Sequence, residues 1–274
     1  MGTPFVVQVP PHIKPLLQDI GRRAGQLKMP TYAVGGCVRD WLLGIAETVD
    51  LDVTVEGRGI DMAQAAARAL HGTLTVHQQF GTATVTLPND GRRRAASVRC
   101  ALRVDFATCR KETYAKPGAY PRVSRGTLRD DLFRRDFTIN AMAVAIAPGR
   151  FGVLIDPFGG ARDLRMKTLR VLHERSFLDD PTRILRGVRL LQRFALTWEP
   201  RTKRLAREAV RLDALGWLNT GRLRRELDRM LTEPDPRCCL WELAALLDAP
   251  ARHPDEKSWR APAVPETSRR RRGR

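Results

Sequence analysis

Val49-Asp50-Leu51-Asp52-Val53-Thr54-Val55 places two carboxylates one residue apart inside an apolar run. Alternate residues of a strand point to one face, so Leu51, Val53 and Val55 predict a buried side and Asp50 and Asp52 a shared open side. Two adjacent carboxylates repel unless a cation sits between them, and hard oxygen ligands on a rigid strand suit magnesium. A short helix upstream lies Gly35-Gly36-Cys37-Val38-Arg39-Asp40, entered from Tyr32-Ala33-Val34. Strand, double glycine and helix start let backbone amides approach an anion, with Arg39 one turn in as a partner. The segment matches neither GxGxxG nor GxxxxGK[ST]. Read separately, the glycines fit a plain tight turn with Arg39 paired to Asp40, and the acids fit an edge strand that discourages aggregation. Read together, they point to magnesium-dependent chemistry on a nucleotide.

Working outward, the apolar spacing predicts helices over 13–28, 37–43 and 61–70, and strands over 32–34, 74–76, 82–87 and 97–106, with a turn at Pro88 and Asn89-Asp90-Gly91. The last strand ends at a third candidate acid, Asp105, which could ligate a metal or pair with Arg103 or Arg110. Periodicity is lost from Arg110 to Arg125, which reads as a mobile loop of functional length. A helix over 128–135, an apolar run over 138–146 and a short strand at 153–155 follow, and then helices over 182–194, 201–210, 221–231 and 236–247. Hairpin-like strands with few crossover helices argue against a doubly wound sheet. The expected class is α+β: a head over 13–147, a helical neck over 148–249, and a disordered Pro- and Arg-rich tail over 250–274.

The chain has 274 residues, of which 43% are apolar, enough to bury a sizeable core. Lys and Arg total 48 against 30 acids, and Arg supplies 41 of the 48, which favours bidentate phosphate recognition. Arg269 to Arg272 with Arg274 contribute five of the +18 charges, so +13 remains elsewhere and a polyanionic partner is expected. Cys37, Cys100, Cys109, Cys238 and Cys239 form no CxxC pair and have no His at metal spacing, which excludes a zinc site or a disulfide framework as the organising feature. No run approaches the length of a membrane span and no leader pattern opens the chain, so the expected location is cytoplasmic, with no membrane partner.

Two further stretches carry polar groups in company. Asp131-Leu132-Phe133-Arg134-Arg135-Asp136-Phe137-Thr138-Ile139-Asn140-Ala141 reads either as a charged helix end beside a buried strand or as Arg135 on phosphate or ribose. In the second reading Asp136 or Asn140 meets hydroxyls or supports the binding groups from behind. Asp179-Asp180-Pro181-Thr182-Arg183 is a good helix start, with Asp180 as cap and Pro181 at the first position. Capping leaves Arg183, Arg186 and Arg189 unexplained; at three-residue spacing, neighbouring members lie near one helical face. A carboxylate and a guanidinium held together can accept from an exocyclic amine and donate to a ring acceptor, the pair that cytosine and adenine each present.

Taken in order, GGCVRDWLLG (35–44), DLD (50–52), DDLFRRDFTINAMA (130–143), DPFGGARDL (156–164), DDPTRILRGVRLLQRF (179–194) and GRLRRELDRML (221–231) resemble the class II tRNA nucleotidyltransferase and bacterial poly(A) polymerase family. The resemblance spans about residues 15 to 247. It implies a nucleotidyltransferase-type mixed or antiparallel sheet and template-independent addition of CMP and/or AMP from CTP or ATP to tRNA 3′ ends. Poly(A) synthesis on RNA 3′ ends, and RNA binding with weak catalysis, are the alternatives. It implies two Mg2+ on Asp50 and Asp52, the triphosphate at Gly36 and Arg39, and the sugar or phosphates near Arg135. It also makes Asp180 with Arg183 the selector of C or A, supported by Arg186 and Arg189, and makes 110–125 a loop used in changing from C to A. Asp179 stands where the family usually has Glu. Family members continue into further helical regions beyond about 247. The RNA is therefore expected to be held by the basic surface and tail, or to be bound weakly. The loop Tyr114-Ala115-Lys116-Pro117-Gly118-Ala119-Tyr120-Pro121 looks most like lineages that divide CC and A addition, and leaves CC, A and CCA all open.

Overall fold

A computed structural model of the chain describes residues 4–47, 50–88 and 102–247. Val49, the turn at 89–91, the start of the strand expected at 97, Cys100 and the tail expected over 250–274 lie outside the described residues.

The head runs α1 (Lys14–Gln26), β1 (Thr31–Val34), α2 (Gly36–Leu42), β2 (Asp50–Val55), α3 (Gly59–Leu70), β3 (Thr73–His77), β4 (Thr82–Thr86), β5 (Arg103–Thr108), β6 (Arg110–Thr113), β7 (Arg122–Arg125), α4 (Leu128–Phe133), β8 (Ala143–Ala145) and β9 (Leu154–Ile155). Then come α5 (Gly160–Arg165), β10 (Thr168–Leu169), α6 (Ser176–Asp179), α7 (Thr182–Phe194), β11 (Thr197–Trp198), α8 (Pro200–Arg211), α9 (Thr220–Leu231) and α10 (Pro236–Leu246).

Seven strands form one sheet in the order β3-β4-β5-β2-β1-β8-β9. The β2–β5 pair is parallel and the others are antiparallel, so the sheet is mixed. Alternation along β2 is as the residues require: Leu51, Val53 and Val55 are buried while Asp50 and Asp52 are open. The buried side packs under Leu16, Leu17 and Ile20 of α1 and Met62, Ala63 and Ala66 of α3. Fully burying each large aliphatic side chain contributes about 1.5–3 kcal/mol, which makes this layer the main support for the acid-bearing strand. Its last strand, β9, comes from beyond residue 147, the boundary expected for the head.

The segment expected to be an irregular loop is instead a hairpin, with β6 and β7 paired from Arg110↔Arg125 to Thr113↔Arg122. The face that β6 turns inward carries the charged Arg110 and Glu112, and β7 is exposed throughout, so no apolar alternation marks the hairpin in the sequence. Beyond the sheet, α7 buries Ile184, Leu185, Val188 and Leu191 in a second core with Phe137, Phe177 and Leu169. Phe137, Phe177 and Trp198 meet as an aromatic trio with all three centroid separations at 6.3 Å.

Candidate active site

The floor of the site is the open face of β2. Asp52 lies opposite Asp105 in the parallel register, and Asp50 opposite Arg103. The Asp52 carboxylate reaches solvent through the cavity mouth but is closely walled by protein. Desolvation raises its pKa above the ordinary carboxylate range; Arg135 opposes that rise, while Asp105 and Asp50 add to it. Asp50 is open, its side chain 63% exposed, with Arg103 Nε no nearer than 3.9 Å. Asp105 accepts from the Thr84 hydroxyl and is paired with neither Arg103 nor Arg110.

Beside Asp52, Gly35 has φ +80°, in the left-handed region, and a Cβ there would stand 2.7 Å from Arg135 Nη1 and 3.3 Å from Asp52 Oδ2. Only glycine suits both the backbone and the space. Arg39, one turn into α2, donates from Nε and Nη2 to Asp40 Oδ1 at 2.9 and 2.8 Å and from Nη1 to Asn140 Oδ1 at 2.7 Å. Its guanidinium also lies 4.2 Å from the centroid of the Phe194 ring. The pairing with Asp40 is the plain reading of the turn, yet Arg39 still lines the cavity with Gly35 and Gly36.

Asp131, fully buried, anchors two cations: Arg134 Nη2 at 2.9 Å and Arg135 Nη2 at 3.0 Å. Both guanidiniums line the cavity, and Arg135 Nε is buried without a hydrogen-bond partner. An unpaired buried donor is costly, so this N–H is an unmet polar group at the wall of the cavity. Asp136 Oδ2 receives Arg186 Nη2 at 2.7 Å and Nε at 3.0 Å, while Oδ1 receives the Phe137 amide at 2.8 Å and Asn140 Nδ2 at 3.0 Å. Burial opposes ionisation of Asp136, but Arg186 and these donors outweigh it and hold the carboxyl down at about 2. Arg39–Asn140–Asp136–Arg186 is therefore one hydrogen-bonded chain from α2 to α7.

On the α7 side, Asp180 Oδ1 accepts from the Thr182 amide at 3.1 Å and hydroxyl at 2.6 Å, as a capping residue does. Its ion-pair partner is Arg222 Nη2 at 2.7 Å, not Arg183. Arg183 is buried and donates to Ser176 Oγ at 2.8 Å and the Arg134 carbonyl at 2.7 Å. Arg189 departs from the expected row. It binds Glu233 at 2.9 Å and approaches Glu226 at 3.5 Å, on the α9 side. Each three-residue step turns a helix about 300°, so residues six apart sit about 120° apart. Asp179 is buried, 3.4 Å from Arg175, and does not line the cavity.

The cavity measures about 500 Å³ and joins two walls: Gly35, Gly36, Arg39, Asp52, Arg135, Asp136 and Asn140 on one side, Asp180, Arg183 and Arg186 before and along α7 on the other. Sequence reasoning missed Arg110, Glu112 and Tyr114, which line it from the hairpin, and Arg134. Glu112 binds the Tyr114 hydroxyl at 3.0 Å and Arg110 at 2.9 Å. An adjoining cavity of about 440 Å³ is lined by Asp105 and His77 and shares Asp52, Arg110, Arg134 and Arg135. Such sizes suit small-molecule ligands, and the guanidiniums select anions. Among the described residues no three His, Cys, Asp or Glu side chains cluster closely enough to hold a metal by themselves. Magnesium needs no such cage, since it keeps waters and takes one or two carboxylates plus substrate phosphates. A carboxylate whose ionisation is resisted by burial and by two neighbouring acids meets that requirement. The described cysteines are free thiols, and burial pushes Cys37 and Cys109 up to about 12, which leaves them unreactive packing groups. No helix among the described residues is long and apolar enough to cross a membrane.

The chain is 43% identical over 240 residues to an A-adding tRNA nucleotidyltransferase of Geobacter sulfurreducens, covering 88% of this chain and 26% of that protein. It is 38% identical to a CC-adding tRNA nucleotidyltransferase of Deinococcus radiodurans, covering 86% and 58%. A solved Thermotoga maritima CCA-adding enzyme complexed with tRNA superposes with a TM-score of 0.76 at 40% identity, covering 91% of this chain and 55% of that one. The chain thus spans between about a quarter and three-fifths of the length of these relatives. Residues 31–170, the glycine turn, the acid-bearing strand and the Arg134–Asn140 segment among them, match the poly A polymerase head domain model, and the chain belongs to that family.

Proposed function

We propose that the chain is a template-independent RNA nucleotidyltransferase that adds CMP and/or AMP, from CTP or ATP, to the 3′ end of tRNA with Mg2+. The observation that carries this reading is the single cavity in which the Asp52 wall faces the Asp180–Arg183 wall. Asp50 and Asp52 would hold the magnesium ions. The ions held there would supply Lewis acidity to the primer 3′-hydroxyl and charge neutralisation to the triphosphate. Gly35 and Gly36 leave the backbone open to phosphate, and Arg39, Arg134 and Arg135 supply fixed positive charge around it. Arg135, on the cavity wall, lies near the sugar or phosphates of the incoming nucleotide. The Asp180 carboxylate accepts from the exocyclic amine of C or A while Arg183 donates to the ring nitrogen. The 3′-hydroxyl gives its proton to water as its oxygen bonds to the α-phosphorus and the bond from that phosphorus to the leaving pyrophosphate breaks. Names of relatives that add A and relatives that add CC support tRNA as the primer and leave the choice of nucleotide to experiment.

The full chain is incubated with tRNA transcripts ending before the first C, the second C and the A of the terminus, with CTP and ATP supplied separately, and the products are sequenced. One to three residues added on tRNA is the expected result. A long A ladder on unstructured RNA with ATP alone would assign poly(A) synthesis instead. RNA binding without incorporation would sink the enzymatic reading.

A further inference from the structure

Arg222 stands outside both walls of the cavity, yet it is the ion-pair partner of the Asp180 carboxylate. It lies in the first turns of α9, and its side chain is only 14% exposed. Nη2 donates to Asp180 Oδ1 at 2.7 Å, Nη1 to the Gly118 carbonyl at 3.3 Å, and its guanidinium sits 5.3 Å from the centroid of the Tyr120 ring. The Tyr120 hydroxyl receives Asn219 Nδ2 at 3.2 Å from the same helix start. Gly118 in turn gives its amide to the Leu178 carbonyl at 3.0 Å. One guanidinium thus joins α9, the tip of the β6–β7 hairpin and the residue that begins α7.

The consequence is geometric. Thr182 N, Thr182 Oγ1 and Arg222 Nη2 all bond to Oδ1 of Asp180. Protein contacts hold that oxygen, so the plane of the carboxylate is set and recognition of a base falls to Oδ2. Thr182 alone would leave the group free to swing about its cap bonds; an ion pair from a second helix removes that freedom. Base discrimination depends on acceptor direction, since a carboxylate turned away from the base plane cannot tell an exocyclic amine from a carbonyl.

We infer that Arg222 is a positioning residue for base selection: it orients the Asp180 carboxylate and ties that orientation to the hairpin tip. The inference rests on the nucleotide-selecting role proposed for Asp180. Arg222 does not touch the reacting phosphate, so its loss acts on which triphosphate is held and not on affinity for triphosphates in general.

Equilibrium binding of ATP, CTP, GTP and UTP to the full chain, with magnesium and without primer, tests this directly. Selectivity is the Kd for GTP or UTP divided by that for the tighter of CTP and ATP. Arg222→Ala is expected to lower selectivity about tenfold, the equivalent of losing one well-oriented hydrogen bond. Arg222→Lys, which keeps a cation for Asp180, is expected to stay within about threefold of the unmodified chain. Asn219→Ala, which removes the α9 cap and the Tyr120 contact but leaves the ion pair, is expected to lower the melting temperature without lowering selectivity. Where thermal melting shows that Arg222→Ala does not fold, Arg222→Gln takes its place. The inference is overturned by an affinity loss equal for all four triphosphates, by unchanged selectivity, or by the same selectivity loss in Asn219→Ala. An unmodified chain that binds the four alike also overturns it. A selective chain that extends no tRNA would sink the proposed function while leaving this inference standing.

Discussion

Asp52 carries two opposed demands. Burial and the neighbouring acids resist its charge, and the proposed chemistry needs that charge. Asp52→Asn is therefore expected to abolish measurable incorporation, by at least about 100-fold, since even residues behind metal ligands cost 10–100-fold. The same change relieves an unfavourable folded-state charge, so the melting temperature should equal or exceed that of the unmodified chain; incorporation that survives would remove Asp52 from the site. Asp136 is the reverse case, its carboxyl held at about 2 by Arg186 and Asn140 despite burial. Its folded pKa lies below the unfolded value near 4, so its stabilisation is complete above about pH 4 and disappears as pH falls toward 2. The amount is about 2 kcal/mol, at about 1.4 kcal/mol per pKa unit. Denaturant titrations between pH 5 and 2 should show this loss in the unmodified chain and not in Asp136→Asn, and parallel curves for the two would refute it. These opposite shifts were not legible in the sequence, which shows two acids in polar company and not the groups that surround them.

At the scale of elements, α7 shows how close packing sets the position of the site. Gly187 lies against Trp198 and Phe137, and an added Cβ would clash with both rings. Gly187→Ala should destabilise by about 1–3 kcal/mol through overpacking, read as a lower urea midpoint with an unchanged slope. An unchanged midpoint would mean that the aromatic trio yields easily. The helix itself was plain from its apolar spacing, whereas the destination of Arg189 was not, because a three-residue step drifts around a 3.6-residue turn. The hairpin of β6 and β7 was likewise hidden. Its strands pair with each other and not with the main sheet, and the inward positions of β6 are the charged Arg110 and Glu112, so they leave no apolar alternation to read.

At the scale of the molecule, a formal charge of +18 and a cavity lined by guanidiniums make a surface suited to RNA. Binding of tRNA to the full chain should weaken by about tenfold or more between 50 and 200 mM salt, as contact with three or more phosphates requires. Salt-independent binding would point to recognition by other means. The sequence by itself determined the alternating acids of β2, the glycine turn before α2, and the helices from residue 182 onward. These follow from side-chain periodicity and backbone sterics, which act over a few residues. Only the tertiary structure decided which cation meets which acid. Arg39 reaches Asn140 across 101 residues of chain, Arg186 reaches Asp136 across 50, and Arg222 reaches Asp180 across 42. In a chain with 41 arginines any of them could satisfy any carboxylate, and the choice is made by which side chains the packed sheet and helices bring within 3 Å.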